Sequence, residues 1–178
     1  MSGWRRAVLV QEIEQLFLEE INLVVWQRAL VLPPDVPALP DAPRRLMRVV
    51  EADDLSAAAV ADALDLPGQS AFVADISGLC TLFHDITDAS EIGIRLEVTD
   101  RQTCPKFHTD RVFLRMMTTY HGPGTEWLDQ GEVRQAAAGE VLLAKGELWG
   151  GVSGACVHRS PPLQPGQWRV LVTLDAVG

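Results

Sequence analysis

Apolar residues fall at helical spacing over residues 5–20, at Val8, Ile13, Leu16 and Phe17, and this predicts an amphipathic helix. The β-branched run INLVVWQR (21–28) predicts a strand. The connector VLPPDVPALPDAP (31–43) follows, and its prolines exclude regular structure. Residues 53–66 predict a second helix, with Asp53 or Asp54 as its cap, an alanine-rich body and Pro67-Gly68 as its stop. Residues 70–86 predict a buried helix through Phe72, Ile76, Leu79, Leu82 and Phe83, with His84 and Asp85 facing solvent or capping its end.

From residue 91 the period changes to two. In EIGIRLEVT, Ile92, Ile94, Leu96 and Val98 alternate with Gly93, Arg95, Glu97 and Thr99, as in a half-buried strand. VFLRMMTTY (112–120), GEVLLAKG (139–146) and WRVLVTLD (168–175) predict further strands, GPGT (122–125) a turn, and Ala155 to His158 an extended segment. Short strands punctuated by turns point to a sandwich or jelly roll rather than a parallel sheet. The expected organisation is one domain over residues 1–178, with residues 1–90 a mostly helical scaffold and 91–178 the β core.

Composition refines this picture. With 178 residues, 47% hydrophobic and 22% charged, the chain is long enough for a substantial core. No apolar run approaches the roughly 20 residues of a membrane span. In MSGWRRAVLVQEIEQLFLEE the apolar stretch after the arginines is broken at once by QEIEQ, so a cytoplasmic helix is expected rather than a signal peptide. Three cysteines, Cys80, Cys104 and Cys156, predict reduced thiols rather than a disulfide framework. The net charge of -9 argues against a nucleic-acid partner. Residues 1–100 carry 7 Lys and Arg against 17 Asp and Glu, whereas 101–178 carry 8 against 7. The second half places Arg111, Arg115, Lys145, Arg159 and Arg169 around one polar motif, as a pocket for an anionic small-molecule or protein substrate would require.

That motif is KFHTDRVF. In extended chain, residues two apart point the same way, so His108 and Asp110 can reach one ion. His158, 48 residues after Asp110 and just before a Ser-Pro-Pro stop, supplies a third donor. Two imidazoles and a carboxylate on one face of an iron(II) ion leave the other face open, which is the facial-triad arrangement. The bland reading makes His108 and Asp110 a turn pair and His158 a buried histidine bonded to backbone. Arg169, 11 residues after His158 on the last strand, has the fork geometry to grip a carboxylate bidentately. Cys104 and Cys156, joined to His108, Asp110 and His158, would instead offer a tetrahedral zinc site. His121 is expected at an exposed strand end, Arg115 in a structural ion pair, and Trp127 and Trp149 in the core or a pocket wall.

The order HxD, TTY, a glycine-rich turn with GT, GEVLLAKG, a histidine followed by prolines, then an arginine on the last strand resembles the iron(II)/2-oxoglutarate dioxygenases, nearest their prolyl-hydroxylase branch. The resemblance spans about residues 91–175. It implies a double-stranded β-helix, the cupin-like jelly roll, with the helical N-terminal part packed on it. It implies His108, Asp110 and His158 as metal ligands, Arg169 as the partner of the 2-oxoglutarate distal carboxylate, and Tyr120 or Thr118 as lining of the cosubstrate pocket. The chain departs from the pattern at Leu171, where that family often has a hydroxyl two residues after the arginine. FHTD, TYHGPGTEWL, KGELW, VHRSPP and LVTLD are similar to a bacterial family of unknown function. That likeness implies a setting in metal homeostasis beside a metallochaperone GTPase. The enzymatic reading is therefore an oxygenase using Fe(II) and 2-oxoglutarate, and the non-enzymatic one a zinc-binding accessory protein. A cupin-type isomerase or hydrolase is a third reading.

Overall fold

The computed structural model describes residues 12–28, 43–66, 70–151 and 153–177. The proline-rich connector and the Pro67-Gly68 stop lie outside them, and so does most of the first expected helix. Of that helix, residues 12–14 are helical and Gln15–Phe17 form a 3-10 turn.

Nine strands follow in chain order: β1 (Leu23–Trp26), β2 (Arg44–Glu51), β3 (Glu91–Thr99), β4 (Leu114–His121), β5 (Glu126–Asp129), β6 (Glu132–Gln135), β7 (Val141–Lys145), β8 (His158–Arg159) and β9 (Arg169–Val177). Two helices, α1 (Ala57–Leu64) and α2 (Ala71–Thr87), lie between β2 and β3. The strands build a six-stranded sheet of order β1-β7-β4-β9-β3-β2 and a three-stranded sheet of order β6-β5-β8, with antiparallel pairing throughout. This is the double-stranded β-helix expected for the second half. In the first half, expected to be mostly helical, β1 falls within the strand expected at 21–28 and β2 is additional, and the two form the edges of the larger sheet.

The alternation of the strands sorts their side chains into two cores. Ile92, Ile94, Leu96 and Val98 of β3, Leu114, Met116 and Tyr120 of β4, and Val170, Val172 and Leu174 of β9 face the helices. They pack there with Val60 and Leu64 of α1 and with Phe72, Val73, Ile76, Leu79 and Phe83 of α2. Met117, Leu142, Ala144 and Leu171 point the other way, toward Ala136, Cys156 and Trp127 of the smaller-sheet side. Arg95, Arg115 and Arg169 lie on this second face. α2 begins at Ser70, whose hydroxyl accepts from the Val73 amide at 3.2 Å, and α1 at Ser56, whose hydroxyl accepts from the Ala59 amide at 3.2 Å. Asp54, expected as the cap, instead accepts from the Ser56 amide. His84 closes the end of α2, its Nδ1 lying 3.0 Å from the Ala89 carbonyl oxygen.

β2 and the β5–β6 hairpin carry no clean apolar alternation. β2 is an edge strand with Met47 and Val49 exposed, and β6 is exposed at all four positions. The hairpin turns at Gln130 and Gly131, whose φ values of 50° and 87° are those of a tight two-residue turn. No helix among the described residues is long and apolar enough to cross a membrane.

Ile76 is fully buried between α2 and the sheet. Ile76→Ala is expected to cost about 2–5 kcal/mol in urea unfolding, and Ser70→Ala about 1 kcal/mol. Equal, negligible costs would show that the helical layer contributes little to the folding of the sheets.

Candidate metal centre

β8 is only two residues long, and its first residue is His158. His108 pairs with it across an isolated antiparallel bridge: each amide donates to the other's carbonyl, at 3.0 and 2.9 Å. Residues directly opposite in such a pair project to the same side, and the two imidazole centroids lie 4.8 Å apart. Asp110, two residues beyond His108, shares that side. One ligand atom from each of His108, Asp110 and His158 falls within 4.8 Å of the others.

The imidazoles are presented the same way. Nδ1 of His108 lies 3.0 Å from the Lys106 carbonyl oxygen, and Nδ1 of His158 lies 3.3 Å from that of Cys156. A carbonyl accepts only from an N–H, so these contacts favour the proton on Nδ1 and a free lone pair on Nε2. Both Nε2 atoms face Asp110, at 3.6 Å to Oδ1 from His108 and 3.0 Å to Oδ2 from His158.

Asp110 sits on a loop laid against the β7 end. The Glu147 amide donates to the Asp110 carbonyl at 2.9 Å, that of Leu148 to Val112 at 3.1 Å, and that of Gly146 to Phe113 at 3.0 Å. Glycine at 146 permits this approach, because a Cβ there would fall 2.0 Å from the Val112 carbonyl oxygen. The Asp110 carboxylate meets Arg115 Nη1 at 2.6 Å, and Asp175 holds the same guanidinium at Nε and Nη2, at 2.6 and 2.7 Å. Burial pushes the Asp110 carboxyl up, but contact with His158 and the charges of Arg115, His158 and His108 outweigh it and hold the group at about 2. Its Oδ2 is buried beside Arg115 Nη1 and His158 Nε2. Two imidazole nitrogens and a carboxylate converging within 4.8 Å are a donor set suited to a divalent ion, so the residues fit a metal.

Arg169 begins β9 and is 2% exposed. Its guanidinium contacts hydroxyls alone: Ser160 at 3.3 Å, Thr119 at 3.3 Å and Thr125 at 2.7 Å. Its Nε has no partner, and no ion pair joins it to a carboxylate among the described residues. Burial lowers its pKa to about 10, against a smaller opposing effect of Glu97. A buried cation without a counter-ion is costly, and an incoming carboxylate would relieve that cost. Ser160, two residues beyond His158, joins this anion pocket to the histidines.

The hydroxyls around Arg169 therefore come from Thr119, Thr125 and Ser160, which sequence reasoning passed over. Tyr120 and Thr118, expected as pocket lining, face the helices. The Tyr120 hydroxyl donates to Asp75 at 2.5 Å, and the Thr118 hydroxyl accepts from Arg28 at 3.4 Å. One position along the strand reverses the face, and Thr119 is the neighbour on the Arg169 side. Gly122, with φ of 78°, lets the end of β4 approach β9, since a Cβ there would meet the Trp168 carbonyl oxygen at 2.1 Å.

Other positive charges expected in the pocket are engaged elsewhere. Lys145 donates to the Leu18 carbonyl, Arg159 pairs with Glu126 and covers the Phe107 ring, and Arg111 is exposed. His121 is exposed at its strand end, Trp127 packs between the sheets, and Trp149 stacks on Phe113. The cysteines stand apart from the cluster. Cys104 is exposed and Cys156 buried, and neither is among the residues whose ligand atoms converge.

A family model described as a protein of unknown function (DUF1826) matches residues 9–175. No curated protein matches the chain. Among solved structures, the chain resembles dioxygenase for auxin oxidation 1 from Arabidopsis thaliana in complex with 2-oxoglutarate. There the TM-score is 0.54 at 14% identity, over 100% of this chain and 80% of that one. A prolyl-4-hydroxylase from Pseudomonas putida gives 0.50 at 14% identity, over 96% and 100%. A 2-oxoglutarate-Fe(II) oxygenase family oxidoreductase from Burkholderia pseudomallei gives 0.52 at 14% identity, over 94% and 89%. At such identities these likenesses establish the jelly-roll fold.

Two outcomes follow from the geometry. Gly146→Ala is expected to lower iron(II) affinity about 10–100-fold, the usual cost of disturbing what orients a ligand, while circular dichroism stays native; undiminished affinity would show that the loop contact does not place Asp110. The Asp110 carboxyl, held below its ordinary 3.8, contributes stability above that value and loses it as pH falls toward about 2. The stability gap between the native protein and Asp110→Asn, measured in urea without metal, should therefore shrink as pH falls below about pH 4. A gap constant down to the acid limit would contradict the depressed carboxyl.

Proposed function

The chain belongs to the DUF1826 family of proteins of unknown function, and we propose that it is an iron(II)- and 2-oxoglutarate-dependent oxygenase that hydroxylates an anionic substrate. The observation that carries this reading is the pairing of two sites joined through Ser160, which follows His158 by two residues and contacts Arg169. One is the His108–Asp110–His158 cluster, whose ligand atoms lie within 4.8 Å of one another, and the other is the buried Arg169 guanidinium, which has no ion pair among the described residues. A dicarboxylate chelating a metal at one end and ending in a carboxylate at the other answers both. The fold of three solved structures carrying oxygenase names supports it.

Each residue then has a defined task. His108 and His158 hold the ion through Nε2, with their ring orientation set by carbonyl contacts at Nδ1. Asp110 supplies the anionic ligand, and Arg115 restrains the rotation of its carboxylate while Asp175 restrains Arg115. Arg169 takes the distal carboxylate in a fork, and Thr119, Thr125 and Ser160 aim it. The inward apolar residues Met117, Leu142 and Leu171 keep water from the interior. When bound, iron(II) with 2-oxoglutarate supplies the chemistry that spends one O2 to convert C–H to C–OH, releasing succinate and carbon dioxide.

Nothing in the structure favours the zinc accessory reading, since neither Cys104 nor Cys156 joins the cluster, and no observation bears on a GTPase partner.

Anaerobic titration of iron(II)-loaded protein with 2-oxoglutarate should give a saturable visible charge-transfer band that His108→Ala abolishes. Arg169→Gln should weaken the 2-oxoglutarate dissociation constant at least about 30-fold, the scale of truncating one partner of a buried charge pair. Folded, iron-bound protein that shows no band would overturn the proposal.

A further inference from the structure

Beyond the metal cluster, the Arg169 face of the larger sheet runs on past Asp175 into a cavity of about 370 Å³. This is at the small end of the ~300–1,000 Å³ typical of ligand pockets. Met47 and Val49 of β2, Gly93 and Arg95 of β3, and Asp175 and Val177 of β9 are among its lining. We propose that this cavity is the substrate subsite and that it receives a small carboxylic acid with an apolar body. The role as substrate subsite rests on the oxygenase reading; the binding of such an acid does not.

Position is the first argument. Asp175, in the cavity wall, holds Arg115, and Arg115 touches the Asp110 carboxylate. One guanidinium thus separates the cavity wall from a metal ligand. The cavity is also distinct from the cosubstrate pocket. Arg169 pairs with Thr99, and Arg95 lies four residues back along β3, roughly 13 Å away at the ordinary strand rise.

Shape is the second. Met47 and Val49 are 59% and 52% exposed on an edge strand, where apolar side chains are a liability unless something covers them. Gly93 packs directly against Val177: a Cβ there would sit 3.1 Å from Val177 Cγ2 and 3.6 Å from the Asp175 carbonyl oxygen, so a larger side chain would have to displace Val177 within the cavity lining.

Charge is the third, and it selects the carboxylate. Four buried side-chain nitrogen or oxygen atoms lack a partner among the described residues. Two are Asp110 Oδ2 and Arg169 Nε, the sites assigned to metal and cosubstrate. A third is Arg95 Nε, and the Arg95 side chain, 22% exposed, lines this cavity. The contact of Arg95 with Asp175 is long, 3.8 Å, and Arg115 already takes that carboxylate with two hydrogen bonds. Burial, Arg115 and Arg45 lower the Arg95 pKa, against the opposing charges of Asp175 and Glu97. An acid group in the cavity would give the partly exposed Arg95 side chain the counter-charge that its 3.8 Å contact with Asp175 supplies only weakly; a neutral or cationic group would not.

Octanoate and its neutral twin octanamide test this by calorimetric titration of the full chain, free of metal. One saturable octanoate site is expected, at least tenfold weaker for octanamide and in Arg95→Gln, closed in Gly93→Leu, and unchanged in Arg169→Gln. In Mn(II)-loaded protein, bound octanoate protons should show enhanced relaxation that Arg95→Gln removes. No binding, equal affinity for amide and acid, or full retention in Arg95→Gln would overturn the carboxylate site. Binding without relaxation enhancement would overturn its role as substrate subsite. The 2-oxoglutarate band is read separately, so a band with no octanoate site sinks this inference alone, and a site without the band sinks the oxygenase reading alone.

Discussion

The register of β9 is the constraint on which the architecture turns. This strand lies between β4 and β3 in the larger sheet, and its even-numbered residues Val170, Val172 and Leu174 enter the core beneath the helices. Its odd-numbered residues, Arg169, Leu171, Thr173 and Asp175, are thereby committed to the opposite face. A slip of one residue would drive Arg169 and Asp175 into hydrocarbon and turn the valines toward the polar interior, so burial on one side fixes chemistry on the other. The spacing between Arg169 and Asp175 then ranks what the face presents along its length: an anion pocket at one end, and a carboxylate anchoring the Arg115–Asp110 contact toward the other.

Most of this was legible because period-two patterns leave a strong trace. β3 shows it cleanly; β4, β7 and β9 read instead as short β-branched and apolar runs bounded by turns, and His108 and Asp110 need only extended chain to share a side. β2 left little trace because an edge strand facing a cavity carries apolar residues on both faces, as Leu46, Met47, Val49 and Val50 do. The β5–β6 hairpin left little because β6 buries nothing. The face of Tyr120 was not legible either: Thr118, Thr119 and Tyr120 are all suited to a strand, and only the tertiary packing of Tyr120 against Phe72 and Asp75 says which side is which. The Arg169 hydroxyls come from three separate elements, so no local motif announces them.

The first half of the chain does more than support the second. β1 and β2 extend the larger sheet at its two edges, and β2 supplies the apolar wall of the cavity beyond Asp175. The helices brace the far face, where Arg28, Asp75 and Tyr120 form a buried polar knot that leaves the Arg169 face to other residues. The sheet thus separates the Arg28–Asp75–Tyr120 knot on one side from the Arg115–Asp175–Asp110 pairs and the unpaired Arg169 on the other.

The two-residue length of β8 has a mechanical consequence. His158 is held to His108 by two backbone hydrogen bonds, and the smaller sheet around it is narrow. Any ion gripped by both imidazoles becomes a crosslink between positions about 50 residues apart, closing a loop in the manner of a disulfide. Ion supply and the resistance of this half of the chain to unravelling are then one thermodynamic quantity, and starvation for metal would loosen the protein where its chemistry resides.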